Sequence, residues 1–354
     1  MLVSVCGFGS TGSSAVSDYI SEFSSAQVLD SIEFDLIYRP DGLFDLYNHI
    51  QNSADRTYSM SYAVERFKKM LEYHILDYYS GGDRQRKKDL ECIFDKFERK
   101  IISVEWYGFQ NCFYSRYKSF FQGVFLGHFF KFAERKHCYP ITKISICKKG
   151  DKLLDCFKEL VNDILLFLGA DFSKTVVLDQ AFSGNNPQAC FPFFDCPKAI
   201  VVDRDPRDLF IFANEVLKKK KFFQHTMFMP TQSVEEFINY YRLIRQGQPY
   251  LQNNPNIMRV SFEDLIYKYE ESTLGIRLFC GLDERNHIEQ QFDPSLSIAN
   301  TQLFKRFPKY KNEVAKIEKE LSEYLYHFPT SVECNSGFDN KKMFCGKSPL
   351  RRKK

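Results

Sequence analysis

The chain has 354 residues, 44% of them hydrophobic, and a formal net charge of +4. That length allows one large α/β domain with an insertion, or two domains, and the apolar share suffices for a sizeable core. The mild positive excess argues against nucleic-acid binding, and no apolar run reaches the roughly 18 residues of a membrane span.

The chain begins "MLVSVCGFGSTGSSAVSDYI". Residues 2–6 are expected as a first strand, followed by a loop of glycines and hydroxyls and a helix over residues 13–23. Strand, glycine-rich turn and helix in that order build a phosphate cradle, because backbone N–H groups and a helix N-terminus converge on an anion. Gly7 to Gly12 has the spacing of the phosphate-loop pattern G-x-x-x-x-G-K-[ST], but Ser13 stands where the lysine belongs and Ser14 fills the hydroxyl position. The bland alternative is a plain glycine-serine turn. No basic segment precedes the first apolar run, so no secretory leader is expected. The 11 cysteines form no C-x-x-C pair and no Cys/His cluster at zinc spacing, which implies reduced thiols, no metal and a cytoplasmic protein.

Further along, "QVLDSIEF" (residues 27–34) reads as a second strand. From about residue 58 to residue 169 the pattern is helical, with little strand signal. "SYAVERFKKMLEYHILDYY" and "KDLECIFDKFERK" carry helical spacing, and "KLLDCFKELVNDILLFLG" is an amphipathic helix closed by Gly169. Strand character then returns in "KTVVLDQ" (174–180), "KAIVVDRDPRD" (198–208) and "NIMRVSFEDL" (256–265). Continuous apolar runs separated by helices imply a parallel sheet buried on both faces, with ligands beyond the carboxyl ends of its strands. The glycine loop, Asp179, Gln180, Arg204 and Glu263 all fall at those ends. The expected organisation is a P-loop-type α/β domain, a parallel sheet flanked by helices, from residues 1–56 and 170–330. A helical insertion occupies 57–169, and a basic tail, 331–354, ends in "KSPLRRKK".

In "VVDRDPRD", Pro206 is placed to start a helix, with Asp205 and Asp208 near its positive end. A salt-bridged turn explains that much. Arg204, however, leaves a buried strand where a phosphate-bearing ligand belongs, and its planar fork suits phosphate oxygens. With both motifs in view, the chain resembles the sulfotransferases that use 3'-phosphoadenosine 5'-phosphosulfate (PAPS). Their S-G-T-T-type loop corresponds here to Thr11-Gly12-Ser13-Ser14, and their R-x-P-[RK]-D motif to Arg204 through Asp208. The resemblance covers roughly residues 1–50 and 174–310, and includes "VSFEDL" (260–265) and a closing loop, "FDPSLSIANTQLFKRFP" (292–308). It implies that Gly9, Ser10, Thr11, Gly12, Ser13 and Ser14 hold the 5'-phosphosulfate and that Arg204 holds the 3'-phosphate. Ser297, Asn300, Thr301 and Lys305 are offered by the closing loop. It also explains the missing lysine, because the donor ends in a sulfuryl group and not in a magnesium-chelating triphosphate.

Three positions depart from the pattern. Ser10 replaces a common lysine or arginine, Phe212 a serine that contacts the 3'-phosphate, and Ala15 a frequent tryptophan. Asn214 and Asn300 are candidates to replace the lost phosphate contact. The departures point toward a bacterial-type carbohydrate sulfotransferase. Sulfuryl transfer needs positioning, charge stabilisation and a general base for the acceptor hydroxyl. Glu33 is the first candidate for the base, Asp35 the next, and His49 and His128 follow. Arg39 and Lys305 are candidate cations facing the sulfuryl oxygens. Residues 218–221, "KKKK", read as a solvated helix end or an acidic-acceptor rim. Trp106, Tyr107 and Tyr114 read as core aromatics or as an acceptor groove for sugar rings. Two rivals stand beside this reading: a P-loop kinase, disfavoured by Ser13 in the lysine position, and a non-catalytic nucleotide- or glycan-binding protein. The acceptor's identity and the oligomeric state are not legible from the sequence.

Overall fold

A computed structural model describes residues 1–109, 141–150, 152–217, 229–246 and 254–329. The chain divides into two compact units, Met1–Asp35 with Gly169–Lys354, and Leu36–Leu168. Residues 36–56, assigned from sequence to the nucleotide-binding domain, therefore belong to the second unit.

The first unit is built on five parallel strands: β1 (Leu2–Gly7), β2 (Ala26–Glu33), and three further strands that follow the second unit in the chain. The second unit contains α2 (Leu43–Asn52), α3 (Tyr58–Met70), α4 (Leu76–Ser80) and α5 (Arg84–Ile101), then β3 (Ile102–Phe109), β4 (Ile141–Cys147) and α6 (Lys152–Phe167). A π-helical stretch, Leu71–Ile75, links α3 to α4. After it come β5 (Thr175–Asp179), β6 (Pro197–Asp203), α7 (Pro206–Phe212), α8 (Val234–Leu243) and β7 (Ile257–Ser261). The five-stranded sheet has the order β2-β5-β1-β6-β7 with every pairing parallel. The α/β class and the strand positions expected from sequence are those observed.

β1 sits at the centre, with Leu2, Val3, Val5 and Cys6 buried, as a parallel strand covered on both faces requires. Val3, Val5, Val177, Ile200, Val202 and Val260 pack with Val16, Tyr19 and Ile20 of α1 (Ser13–Ile20) and with Ile276 and Cys280. A second cluster joins Leu209 to Ala213 with α8 and with Val314 and Ile317 of the C-terminal helix Lys311–Glu320. The chain leaves β1 toward β2 on one side and later crosses to β6 on the other. In sheets of this topology such a reversal marks the place where ligands bind, here the carboxyl end of β1 between the loops that follow β1 and β6.

The second unit departs from the all-helical expectation. β3 and β4 form an antiparallel pair, Trp106 opposite Ile144 and Tyr107 opposite Lys143. Both segments are rich in β-branched and aromatic residues, which fit a pleated surface. The charged residues among them, Glu105 and Lys143, pair across the strands at 2.7 Å. Gly169, with φ +88°, follows α6 as a left-handed residue past the helix end, as its sequence position implied. No described helix is long and apolar enough to cross a membrane.

Candidate functional site

The β1–α1 loop turns on backbone geometry at three of its positions. Gly9, Ser10 and Gly12 all take positive φ, at 81°, 58° and 95°. A side chain on Gly12 would be strained at that φ, and its Cβ would lie 2.4 Å from the Phe262 ring. A Cβ on Gly184, in the loop after β5, would lie 2.4 Å from the Gly7 carbonyl oxygen, so the floor of the loop is packed backbone to backbone. Thr11 is buried, and its Oγ1 accepts the Phe8 N–H at 3.3 Å. Ser13 opens α1, whose first turn carries no acidic residue and whose N-cap Gly12 offers no side-chain cap, so the helix itself does not offset its positive end. Ser14 is exposed beside it.

Phe8 gives the loop its second anchor. The Arg245 guanidinium carbon lies 4.0 Å from the Phe8 ring centre and 3.5 Å from that of Tyr241. Arg245 in turn donates through Nε and Nη2 to both oxygens of Asp203, at 3.0 and 2.6 Å, and Arg259 adds a third bond at 2.6 Å. Burial alone would push the Asp203 carboxyl up, but these two arginines outweigh it and hold the group at about 2. Arg245 carries no motif in the sequence; it stands in the turn just past α8, and only the tertiary fold brings it to Asp203.

Arg204 follows β6 directly, and β6 is the neighbour of β1. Its side chain is buried, at 5% exposure. Nη1 donates to the Ser10 carbonyl at 3.2 Å and Nη2 to the Asn300 carbonyl at 2.5 Å, so one side chain ties the glycine loop to the closing loop. Its guanidinium also lies 5.2 Å from the Phe212 ring and 5.3 Å from the Phe262 ring. The residue that replaces the expected serine is thus a wall against which Arg204 packs. Nε of Arg204 is buried and has no hydrogen-bond partner among the described residues.

Burial lowers the Arg204 pKa, opposed by Asp208, Glu263 and Asp205. The carboxyls respond in kind. Asp208 is pushed up to about 8 by burial first and by Asp205 next, although it accepts the N–H groups of Gln302 at 2.7 Å and Phe304 at 3.4 Å. Glu263 is pushed up to about 7 for the same two reasons, while accepting from the Asp205 N–H at 3.0 Å and the Ser261 hydroxyl at 2.7 Å. Arg207 has a different task. It clasps Asp205 through Nε and Nη2 at 3.0 and 2.7 Å, pairs with Glu318 at 2.9 Å and donates to the Tyr326 carbonyl at 3.1 Å. That is the salt-bridged turn of the bland reading, applied to the second arginine of the motif.

The remaining candidates fall in several places. Asn300 reaches Arg204 through its carbonyl. Thr301 donates its hydroxyl to the Ile298 carbonyl at 2.9 Å and accepts from the Tyr267 hydroxyl at 2.7 Å, so it ties the closing loop to the short helix after β7. Ser297 ends the short helix Pro294–Ser297 and is half-buried. Lys305 is exposed, its Nζ 6.0 Å from the Phe304 ring centre. Asn214 donates back to the Phe210 carbonyl at 3.0 Å within its own helical segment. Glu33 is exposed at the carboxyl end of β2, in register with Asp179 at the end of β5, and Asp35 is half-buried two residues on. Arg39 and His49 lie in the second unit, where His49 Nδ1 meets the Asp45 carbonyl at 2.8 Å. Trp106 and Tyr107 are exposed on β3, at 39% and 75%. Tyr114, His128, residues 218–221 and the basic tail lie outside the described residues.

Gln180 was placed at the site by its strand-end position but given no role. It adopts φ +52°, its N–H donates to the Val5 carbonyl at 2.9 Å, and its side-chain amide donates to the Ser13 hydroxyl at 2.9 Å. Among the described residues no group of three or more His, Cys, Asp or Glu side chains is arranged to hold a metal ion.

No family model and no curated protein matches the chain. Among solved structures it is similar to a sulfotransferase domain from the curacin biosynthetic pathway, at 13% identity and a TM-score of 0.35, over 92% of this chain and 98% of that one. The fold assignment rests on the order and register of the sheet, and not on that likeness.

Proposed function

We propose that this chain is a sulfotransferase that moves a sulfuryl group from PAPS to a hydroxyl of a carbohydrate acceptor. The observation that carries the reading is the bond from Arg204 to the Ser10 carbonyl, which joins two motifs 194 residues apart. The residues present fit a bisphosphate nucleotide. Arg204 carries a buried Nε with no partner among the described residues, and the loop leads into α1, whose first turn holds no acidic residue. Gly9, Ser10, Thr11, Gly12, Ser13 and Ser14 would hold the 5' end. Arg204 would take the 3'-phosphate, exchanging the Asn300 carbonyl for phosphate oxygens, with Ser297, Asn300, Thr301 and Asn214 nearby in sequence to the groups it uses. PAPS would supply a sulfuryl group attached to a phosphate that leaves readily.

The chain's own residues would then do three things. The loop amides and the end of α1 stabilise charge as it grows on the leaving phosphate oxygen. Glu33 takes the acceptor's proton while the acceptor oxygen bonds to sulfur and the sulfur–phosphate oxygen bond breaks. In the sheet β2 lies two strand spacings from β1, about 10 Å, which suits a base that faces the acceptor and not the phosphates. Lys305 is the cation proposed for the sulfuryl oxygens. A carbohydrate acceptor is supported by the departures at Ser10, Ala15 and Phe212 from the pattern of the steroid- and phenol-type enzymes.

The test is transfer of labelled sulfate from PAPS to a panel of polysaccharides and glycolipids. Labelled glycan supports the proposal. Binding of the nucleotide without transfer to any acceptor favours the non-catalytic reading, and phosphorylation of a glycan from ATP favours the kinase.

A further inference from the structure

We infer that Gln180 is a positioning residue that aims the Ser13 hydroxyl into the glycine loop and so supplies the directed donor that a phosphate-loop lysine would otherwise provide. The inference rests on the proposal that this loop holds the 5' end of a bisphosphate nucleotide. A serine hydroxyl has one proton to give and two lone pairs to receive. The Gln180 amide, 2.9 Å away, fills a lone pair of Ser13 Oγ. That fixes the oxygen as acceptor toward Gln180 and turns its proton away from it. Among the described residues no acceptor takes that proton. Ser13 is the first residue of α1, so the proton lies at a helix N-terminus with no acidic residue in its first turn. An anion there meets the hydroxyl proton together with the backbone donors.

The placement of Gln180 is costly and specific. It is a non-glycine residue at φ +52°, immediately after β5, with its N–H held by Val5 on the central strand. The left-handed conformation is uncommon for such a side chain and persists only where its surroundings fix it. Here it sends the amide from the end of β5 across to the start of α1. Arg204 approaches the same loop from the opposite side, from the end of β6, through the Ser10 carbonyl.

The test is a double-mutant cycle on the full chain, with Ser13→Ala, Gln180→Met and the pair, titrated calorimetrically with adenosine 3',5'-bisphosphate and with adenosine 3'-monophosphate. Ser13→Ala should weaken the bisphosphate about 10-fold, the lower end for a hydrogen bond to a charged group. Gln180→Met should weaken it several-fold, and the double variant should match Ser13→Ala, because Gln180 acts only through that hydroxyl. Ser13→Thr, which keeps a hydroxyl, should restore most of the affinity. Binding of the 3'-monophosphate should stay unchanged in all variants, which a general loss of structure would not permit. Additive losses, or equal losses for both ligands, overturn the role given to Gln180. Failure of the unaltered chain to bind either nucleotide overturns the functional reading itself.

Discussion

Replacing Arg204 by methionine keeps the volume of the side chain and removes its charge and donors. The guanidinium is buried and faced by Asp208, Glu263 and Asp205. Removing one partner of a buried ion pair costs about 3–5 kcal/mol, and that range is the ceiling for Arg204, whose hydrogen bonds go to the Ser10 and Asn300 carbonyls while the carboxyls act on it through space. That cost depends on pH, because Asp208 and Glu263 are already pushed up to about 8 and about 7. A carboxyl whose folded pKa lies above its unfolded value binds more protons in the native state. Its contribution to stability is complete below the unfolded pKa and is lost as pH rises through the folded one. At about pH 6 both carboxyls hold protons in either protein, so the variant should lose only hydrogen bonds and packing, about 1–2 kcal/mol. At about pH 9 the unaltered protein ionises them beside Arg204, while the variant bears bare charge or retains protons, and the loss should approach 3–5 kcal/mol. Urea denaturation of both proteins at the two pH values measures the difference. Equal losses, or a larger loss at the lower pH, would show that Arg204 does not compensate these carboxyls.

Three further outcomes follow from the same geometry. Glu33→Gln should lower sulfate transfer by roughly 10²–10⁴ with nucleotide affinity nearly unchanged; a drop in Asp35→Asn alone would move the role to that residue, and a loss of nucleotide binding in Glu33→Gln would place the carboxylate in the cradle. Gly12→Ala forces a Cβ to 2.4 Å from Phe262 at φ +95°, so it should cost about 2 kcal/mol or more and reduce nucleotide binding; thermal unfolding unchanged from the native chain would refute the packing argument. Arg207→Ala should destabilise the protein by about 3 kcal/mol while weakening nucleotide binding less than Arg204→Ala does; the reverse order of affinities would mean that the wrong arginine has been given the phosphate.

The sheet was legible because β1, β5 and β6 are short apolar runs ending in turn or charged residues, while β2, AQVLDSIE, mixes polar and apolar residues. The phosphate-loop spacing and the proline after Arg204 marked two of the strand ends. β3 escaped the same reading because residues 103–107 alternate poorly and are exposed in the structure, so their pattern resembles neither a buried strand nor one face of a helix. The unit boundary after Asp35 was also hidden, since the segment that follows β2 is apolar, with Phe34, Leu36 and Ile37 buried, and carries none of the loop signal of residues 53–56. At the site, Arg204 was identifiable by its place after β6. Its burial was not, because the Asn300 carbonyl that covers it comes from 96 residues away. Gln180 and Arg245 act through a left-handed backbone and a ring contact, which single residue types do not announce. The two motif arginines look alike in sequence, and their separate tasks follow only from Asp205 lying within reach of one and the glycine loop within reach of the other.

The central claim is that the glycine loop and Arg204 form one site for a nucleotide bearing separate 3' and 5' anions, and calorimetric titration of the full chain tests it most directly. Adenosine 3',5'-bisphosphate should bind tightly without metal, ATP with magnesium should bind weakly and without dependence on the metal, and Arg204→Ala should weaken the bisphosphate by about 2–3 kcal/mol. Equal or tighter binding of ATP with magnesium, or bisphosphate binding indifferent to Arg204, would contradict the account.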